Sequence, residues 1–249
     1  MYKLQGNDLQ KVKSLFERYC SNQSVIFSVF ENRFDGYAYV DDVNTINWAV
    51  LQTPFLQHFI AGSPVGDCVN EIENILFNII LQEQAEKEIA VFTDAKEWDI
   101  VLQDVFQKHN GVTDFRKIFD FSLDNYRNVE RSSLPDDVKP ILEKCKALPF
   151  SHIDTWSAKI IINGQIATYC NVIMVGQNKA EIDIYTDEAF RGKGYATIAV
   201  LSLIDKILKD GLTPTWSTWP FRIESQHIAK KLGFASAPDA KAWIWQEGM

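Results

Sequence analysis

The residues best suited to chemistry form a glycine-containing turn, Arg191-Gly192-Lys193-Gly194-Tyr195-Ala196. A turn of this kind directs several backbone N–H groups at one point, and the N-terminus of a following helix adds partial positive charge there. Gly192 and Gly194 would let a ligand approach the main chain without interference from Cβ atoms, and Arg191 and Lys193 add formal positive charge. The turn therefore predicts an anion site that suits a pyrophosphate, although an ordinary loop of an α/β protein is the alternative when the glycines are taken alone.

Two carboxylates precede this turn. Glu181 and Asp183 alternate with Ile182 and Ile184, which is the period of two that is typical of a strand with different faces. Such a carboxylate could act as a general base toward an ammonium substrate, or it could be a solvated side chain on an open strand face. The pattern alone leaves both interpretations open.

The flanking segments are those needed to position a phosphate-binding turn. Residues 180–186 read as a strand before it, and from Ile198 onwards the apolar residues lie three or four apart, as in an amphipathic helix. Lys206 and Lys209 fall in the last predicted helical turn, where cations are favourable, and Gly211 marks the end. The order is strand, turn, helix.

This stretch resembles a known family. Arg191, Gly194 and Ala196 occupy the three fixed places of the pattern Arg/Gln-x-x-Gly-x-Gly/Ala, the acetyl-CoA pyrophosphate loop of the GNAT superfamily of N-acetyltransferases. Residues 225–234 are similar to the superfamily's helix that ends in a Leu-Gly-Phe signature. With Pro214-Thr215-Trp216, the chain looks closest to a bacterial subgroup that includes zwittermicin-type antibiotic resistance proteins. The resemblance is clear over about residues 134–247 and faint before them.

The resemblance implies acetyl-CoA as co-substrate and transfer of the acetyl group to the amine of a small molecule by direct attack. The residues that it places against the co-substrate are Ile184, Tyr185, Thr186, Arg191, Gly192, Lys193, Gly194, Tyr195, Ala196 and Ser225. The main-chain amide of Tyr185 or Thr186 is the expected donor to the carbonyl oxygen as that oxygen becomes negative. Glu181 is the preferred base because the family often places an acid early on this strand, and the alternatives are Asp183, Glu224 and His227.

Two positions depart from the family pattern. The tyrosine that often protonates the departing thiolate falls at Ala229, and an asparagine common three residues before Ser225 is replaced by Arg222. Tyr185, Tyr169 and Tyr195 are the remaining candidates for the acid. These departures leave two alternatives open, a transferase for a longer acyl-CoA and a non-catalytic acyl-CoA-binding module.

Composition restricts the class of protein. The chain has 249 residues and a formal net charge of −8, which argues against a nucleic-acid or anionic-membrane binder. The N-terminal residues show no signal peptide, and no apolar run is long enough to span a membrane. Four cysteines without CxxC spacing and four histidines without ligand spacing predict no disulfide framework and no metal site. We expect a cytoplasmic protein; its oligomeric state stays open, with a homodimer among the alternatives.

The order of predicted elements indicates an α/β protein with two domains, residues 1–128 and 134–249, joined by a polar linker at Tyr126–Pro135. The second is expected to be a GNAT-like mixed sheet with flanking helices. The first is either a degenerate copy of the same fold or a family-specific α/β cap that shapes the acceptor pocket. No phosphate-loop pattern occurs before Lys87, so only the second half is expected to bind the co-substrate.

Local patterns predict the individual elements. Val25–Phe30 reads as a strand, residues 136–148 as a helix, and Asn163-Gly164 as the turn of a β-hairpin. Asp94 and Glu97 have the spacing of a helix capping box.

Overall fold

The structure, a computed structural model, describes residues 1–131, 139–146 and 148–248. Its strands are β1 (Tyr2–Leu4), β2 (Tyr37–Val40), β3 (Trp48–Gln52), β4 (Gln57–Gly62), β5 (Glu88–Phe92), β6 (Val112–Phe121), β7 (Ile141–Cys145), β8 (Thr155–Ile162), β9 (Gln165–Gly176), β10 (Lys179–Thr186), β11 (Thr213–Thr218), β12 (Phe234–Ser236) and β13 (Ala240–Gln246). Its α-helices are α1 (Lys13–Phe16), α2 (Gln23–Phe30), α3 (Cys68–Glu73), α4 (Leu81–Glu83), α5 (Trp98–Lys108), α6 (Leu123–Arg127), α7 (Tyr195–Lys209) and α8 (Ile223–Lys231). Short 3₁₀ segments cover Gly6–Lys11 and Glu188–Phe190, and a π-helix, Asn74–Ile80, joins α3 to α4.

The chain divides into two compact units, one made of Met1–Arg116 with Ala240–Met249 and the other of Lys117–Asp239. Strand β6 belongs to both, because its first part pairs with β13 and its last part with β11 and β12. These bounds differ from those of the predicted domains, since the last strand of the chain is part of the first unit. The division into domains of residues 1–128 and 134–249 stays a prediction.

The first unit is a sheet in the order β1-β2-β3-β4-β5-β13-β6. All its neighbours are antiparallel except β4 and β5, which pair in parallel and are therefore connected by a crossover through α3, the π-helix and α4. The apolar sides of this crossover and of α5 cover one face of the sheet, with Ile72, Trp98 and Trp243 in the resulting core. The residues that helix α5 contributes to this core lie on one side of the helix and are Trp98, Val101, Leu102, Val105 and Phe106.

The second unit repeats this succession. Its strands lie in the order β7-β8-β9-β10-β11-β6-β12, and β10 and β11 are the parallel pair, connected by α7. Ala180 and Ile182 of β10 pack against Val200, Leu203 and Ile204 of α7 in one apolar core. The apolar residues that alternate along β10 and those spaced three or four apart along α7 are therefore buried against each other. The predicted fold class, a mixed α/β sheet with flanking helices preceded by an α/β half, is confirmed.

Several local predictions hold. Asn163 and Gly164 have φ of 50° and 80° and join β8 to β9, as expected of a hairpin turn with two left-handed residues. The strand, turn and helix of residues 179–209 are also as predicted.

Three local predictions are wrong. Val25–Phe30 lies in helix α2, because a short run that is buried on all sides has no period that distinguishes strand from helix. Of the helix predicted over 136–148, residues 141–145 form strand β7 paired with β8, while 136–138 and 147 lie outside the described residues. Asp94 does not cap α5; its carboxylate accepts the backbone N–H of Cys20 at 2.9 Å.

The predicted linker is partly structured. Residues 123–127 form α6, and Tyr126 is buried and donates a hydrogen bond of 2.8 Å to Asp205 on α7. Residues 132–135 of that linker lie outside the described residues. Across the described part of the chain, every helix is too short or too polar to cross a bilayer.

Candidate active site

The parallel pairing of β10 and β11 ends halfway along both strands. Glu181 and Thr215 form the last pair of this ladder, a position that we call the ladder end. Beyond it, Trp216–Thr218 pair with β6, while β10 runs on to Thr186 paired with β9. Alternate residues of a strand direct their N–H and C=O groups at the same edge, so the edge of β10 past Glu181 can take up a linear ligand by main-chain hydrogen bonds.

Glu181 is buried at the ladder end, with 6% of its surface exposed. Its Oε2 accepts a hydrogen bond of 2.5 Å from Thr215 Oγ1, and its Oε1 accepts one of 2.7 Å from Ser217 Oγ. The alternative that Glu181 is a solvated side chain on an open strand face is therefore wrong, whereas Asp183 is exposed. The pairing of β10 with β9 shifts register between Glu181 and Ile182, which interrupts the strict alternation of the strand. Three successive residues, Ala180, Glu181 and Ile182, are buried at this point.

This arrangement fixes the carboxylate of Glu181 at both of its oxygens. The Thr215 hydroxyl donates to one oxygen and the Ser217 hydroxyl to the other. Sequence reasoning missed Thr215 and Ser217. The signal was available in their alternation with Trp216, since side chains two apart on a strand share a face.

The glycine turn has the backbone form that an anion site requires. Gly192 and Gly194 have φ of +74° and +80°, a region in which L side chains are strained. A Cβ atom added to either glycine would meet no heavy atom within 4 Å, so the space next to the turn is open. The turn thus presents bare main chain to this space.

The amides at this turn are available. Helix α7 begins at Tyr195, and its first return hydrogen bond runs from the Ile198 N–H to the Gly194 carbonyl at 3.3 Å. Among the described residues, no main-chain acceptor pairs with the N–H groups of residues 192–197. These amides and the helix dipole form the type of anion site that the sequence predicts.

Arg191 and Lys193 fold back onto the turn. Arg191 donates to the Thr186 carbonyl at 3.4 Å and to Glu188 at 3.3 Å, while Lys193 donates to the Ala189 carbonyl at 3.0 Å. Both side chains are exposed. Their charge is therefore held near the amides of the turn.

Tyr185 and Ser225 have different surroundings. The Tyr185 ring is 49% exposed and lies 5.4 Å from the ring of Tyr169, its partner across β9 and β10. Ser225 lies in the first turn of α8, where its Oγ accepts a hydrogen bond of 3.1 Å from Trp216 Nε1. Its own O–H can still donate. No metal-binding group of three or more His, Cys, Asp or Glu occurs within residues 1–131, 139–146 and 148–248.

The positions that depart from the family pattern are not equivalent. Ala229 is fully buried in the core of the second unit and contributes no proton donor. Arg222 is exposed at the start of α8, with its guanidinium 5.4 Å from the ring centre of Phe221. Glu224 and His227, the weaker base candidates, are exposed on α8.

The first unit has a similar ladder end, but its own side chains occupy it. The parallel pairing of β4 with β5 covers residues Gln57–Phe59 only. Just past it, the buried hydroxyl of Tyr19 lies 2.6 Å from the Ile60 carbonyl and 2.9 Å from the Phe92 carbonyl, and it donates to one of them at a time. The loop that follows β4 contains Pro64 and Asp67 where an anion turn would need amides and positive charge.

Comparisons with known proteins match the region of the chain that contains this site. Residues 157–241 match the family model described as GNAT acetyltransferase. A relative named uncharacterized N-acetyltransferase YdfB, from Bacillus subtilis (strain 168), is 23% identical in an alignment of 257 positions that covers 92% of this chain and 92% of the relative.

Solved structures share the fold over nearly the whole chain. A GCN5-related N-acetyltransferase-like protein from Streptococcus suis 89/1591 has a TM-score of 0.71 at 20% identity, covering 96% of this chain and 98% of that one. A tandem GNAT protein from the clavulanic acid biosynthesis pathway has a TM-score of 0.61 at 10% identity, covering 99% and 98%. At these identities the likeness concerns the fold alone, and it includes both units.

The family model covers the ladder end, the glycine turn and α8, where the sequence motifs and the geometry also coincide. These comparisons support a GNAT superfamily N-acetyltransferase, and the chain is similar to that family over residues 157–241.

Proposed function

We propose that this protein transfers the acetyl group of acetyl-CoA to the amine of a small molecule by direct attack of the amine. The observation that carries the proposal is the ladder end of the second unit, where a buried carboxylate lies beside an unused strand edge. Acyl transfer as such follows from the family; the acyl group and the class of acceptor are the proposal.

The residues fit acetyl-CoA. Its pyrophosphate needs amide donors and open space, and the turn at Gly192 and Gly194 offers both. Arg191 and Lys193 would add charge to this contact. The main chain of Ile184–Thr186 would hold the extended amide-containing arm as an added strand, and Ser225 can donate from the first turn of α8. Acetyl-CoA would supply the activated acyl group.

Only the second unit is expected to bind it. In the first unit, Tyr19 lies against the main-chain carbonyls of Ile60 and Phe92, the region that corresponds to the strand edge used in the second unit. One acetyl-CoA per chain is the expected stoichiometry.

Catalysis requires a neutral amine and a donor for the carbonyl oxygen as negative charge develops on it. Glu181 is the base that removes the ammonium proton, and the main-chain N–H of Tyr185 or Thr186 is the donor. A tyrosine hydroxyl can protonate the departing thiolate, and Tyr185 and Tyr169 are the neighbouring candidates on this face of the sheet. A thiol has a pKa of about 8.5, so its anion also departs acceptably without an acid.

A panel of small amines, assayed with acetyl-CoA by release of free thiol, tests the proposal. Parallel assays with butyryl-CoA and a long-chain acyl-CoA test the alternative donor. We expect turnover with at least one amine and a higher kcat/KM for acetyl-CoA. A higher kcat/KM for a longer acyl-CoA would show that this acyl-CoA, and not acetyl-CoA, is the donor. Binding of acetyl-CoA without release of thiol in the presence of any amine would favour a binding module.

A further inference from the structure

We propose that Thr215 and Ser217 are positioning residues for proton transfer, because their hydroxyls hold the Glu181 carboxylate in a fixed orientation. The inference rests on the proposed function, in which Glu181 is the base. It assigns a role to two residues of β11 that touch neither the amine nor acetyl-CoA in that proposal.

The geometry defines a two-point attachment. Thr215 holds Oε2 and Ser217 holds Oε1, at 2.5 and 2.7 Å, so rotation of the carboxylate about its terminal bond would break both hydrogen bonds. Thr215 is the β11 partner of Glu181 in the ladder, and Ser217 lies two residues further on, on the same face. The backbone pairing that ends here therefore also sets the position of both hydroxyls.

The hydroxyls act on charge as well as on orientation. Burial disfavours a charged carboxylate, whereas hydrogen bonds donated to the ionised form favour it. Glu181 is buried, so each of the two hydrogen bonds offsets part of the cost of removing its carboxylate from water. Loss of either donor would remove that contribution. The titratable neighbour on its own strand is the exposed Asp183, and the residue paired with Glu181 on β9 is Met174.

The proton balance is simple. The ammonium proton moves to Glu181, and the neutral amine forms the N–C bond as the C–S bond breaks. The second proton lost by the nitrogen accompanies the thiolate, giving free thiol, and Glu181 returns its proton to solvent. A carboxylate that is misplaced or already protonated slows the first of these steps.

The experiment uses the full chain with Thr215→Val, Ser217→Ala and the double variant. Thr213→Val is the matched control, since Thr213 lies on the same strand and face at the exposed start of β11. Thr215→Ser and Ser217→Thr restore a hydroxyl. The measurements are kcat, KM for acetyl-CoA and the melting temperature.

We expect each hydroxyl deletion to lower kcat by about tenfold, equivalent to about 1.4 kcal/mol, without raising KM for acetyl-CoA. The hydroxyl-preserving variants should recover most of the activity, and Thr213→Val should behave as wild type. In a Glu181→Gln background, Thr215→Val should cause little further loss.

Wild-type kcat in the double variant would overturn the inference while leaving Glu181 as the base. Full activity of Glu181→Gln would overturn the base assignment and this inference together. Acetylation of no amine in the panel would overturn the proposed function, and this inference with it.

Discussion

Glu181 and Thr215 are the last paired residues of the β10–β11 ladder, and their side chains are hydrogen-bonded to each other there. The main-chain pairing and the side-chain contact end at the same place. The base proposed for catalysis is thus anchored where the strand edge proposed for acetyl-CoA begins.

Glu181→Gln should lower turnover by about 10²-fold or more, the usual scale for loss of a general base, because an amide cannot take the ammonium proton. The affinity for acetyl-CoA should barely change, since Glu181 lies before the strand edge used for binding. Steady-state kinetics and calorimetry provide the two measurements. Asp183→Asn, which alters the exposed carboxylate of the same strand, should retain most of the activity. The reverse result would make Asp183 the base.

Gly194→Val should weaken acetyl-CoA binding strongly, because the side chain would occupy the open space beside the amides and strain a backbone at φ +80°. Gly211→Val is a suitable control for strain alone, since Gly211 has φ +77° and open surroundings but lies after the other end of α7. Calorimetry of both folded variants compares the affinities. Equal affinity in Gly194→Val and wild type would place the pyrophosphate elsewhere.

Acetyl-CoA should bind with a stoichiometry of one per chain, and Tyr19→Phe should leave this number unchanged. The substitution removes a buried hydrogen bond to the strand carbonyls, so we expect a loss of about 1–2 kcal/mol in the free energy of unfolding. Chemical denaturation measures that loss, and Tyr2→Phe, at an exposed position, is the control. Two binding events per chain would show that the first unit also accepts the co-substrate.

Asp205 should make stability depend on pH. The Arg131 guanidinium, and secondarily the Tyr126 hydroxyl, lower the pKa of Asp205 by hydrogen bonding to its ionised form. A lowered folded-state pKa stabilises the protein above the unfolded value of about 3.9, and this contribution is lost as the pH falls through the folded value.

Asp205→Asn should therefore lower the melting temperature near pH 7, by the equivalent of no more than about 1 kcal/mol because the pair is partly solvated. The difference from wild type should narrow below about pH 4. Asp124→Asn, at an exposed ion pair, should have little effect at any pH. A difference that stays constant with pH would contradict the role of the Asp205 charge.

The domain bounds predicted from the sequence and the two compact units of the structure define different C-terminal fragments. A fragment of residues 134–249 lacks the part of β6 that pairs with β11 and β12, and it carries β13, which belongs to the first unit. We expect a fragment of residues 117–239 to be the more compact and the better binder of acetyl-CoA. Circular dichroism and calorimetry of both fragments would test this, and tighter binding by residues 134–249 would support the boundary expected from sequence.

The sequence by itself determined the glycine turn, its neighbouring strand and helix, and the resemblance to the GNAT superfamily. These features are local: left-handed glycines, a switch of apolar period from two to three or four, and a short motif all act within some thirty residues of β10 and α7. Glu181 was also selected from the sequence, as an acid early on that strand.

Tertiary structure alone decided the environment of Glu181 and which strands belong to which unit. Thr215 and Ser217 reach Glu181 through a parallel pairing across the intervening α7, and such a pairing has no signature within a single strand. For the same reason, residues 141–145 form a strand against β8, and β13 completes the first unit from the far end of the chain. Hydrogen bonds between distant segments decided these elements, and the local pattern of side chains does not encode which segments will pair.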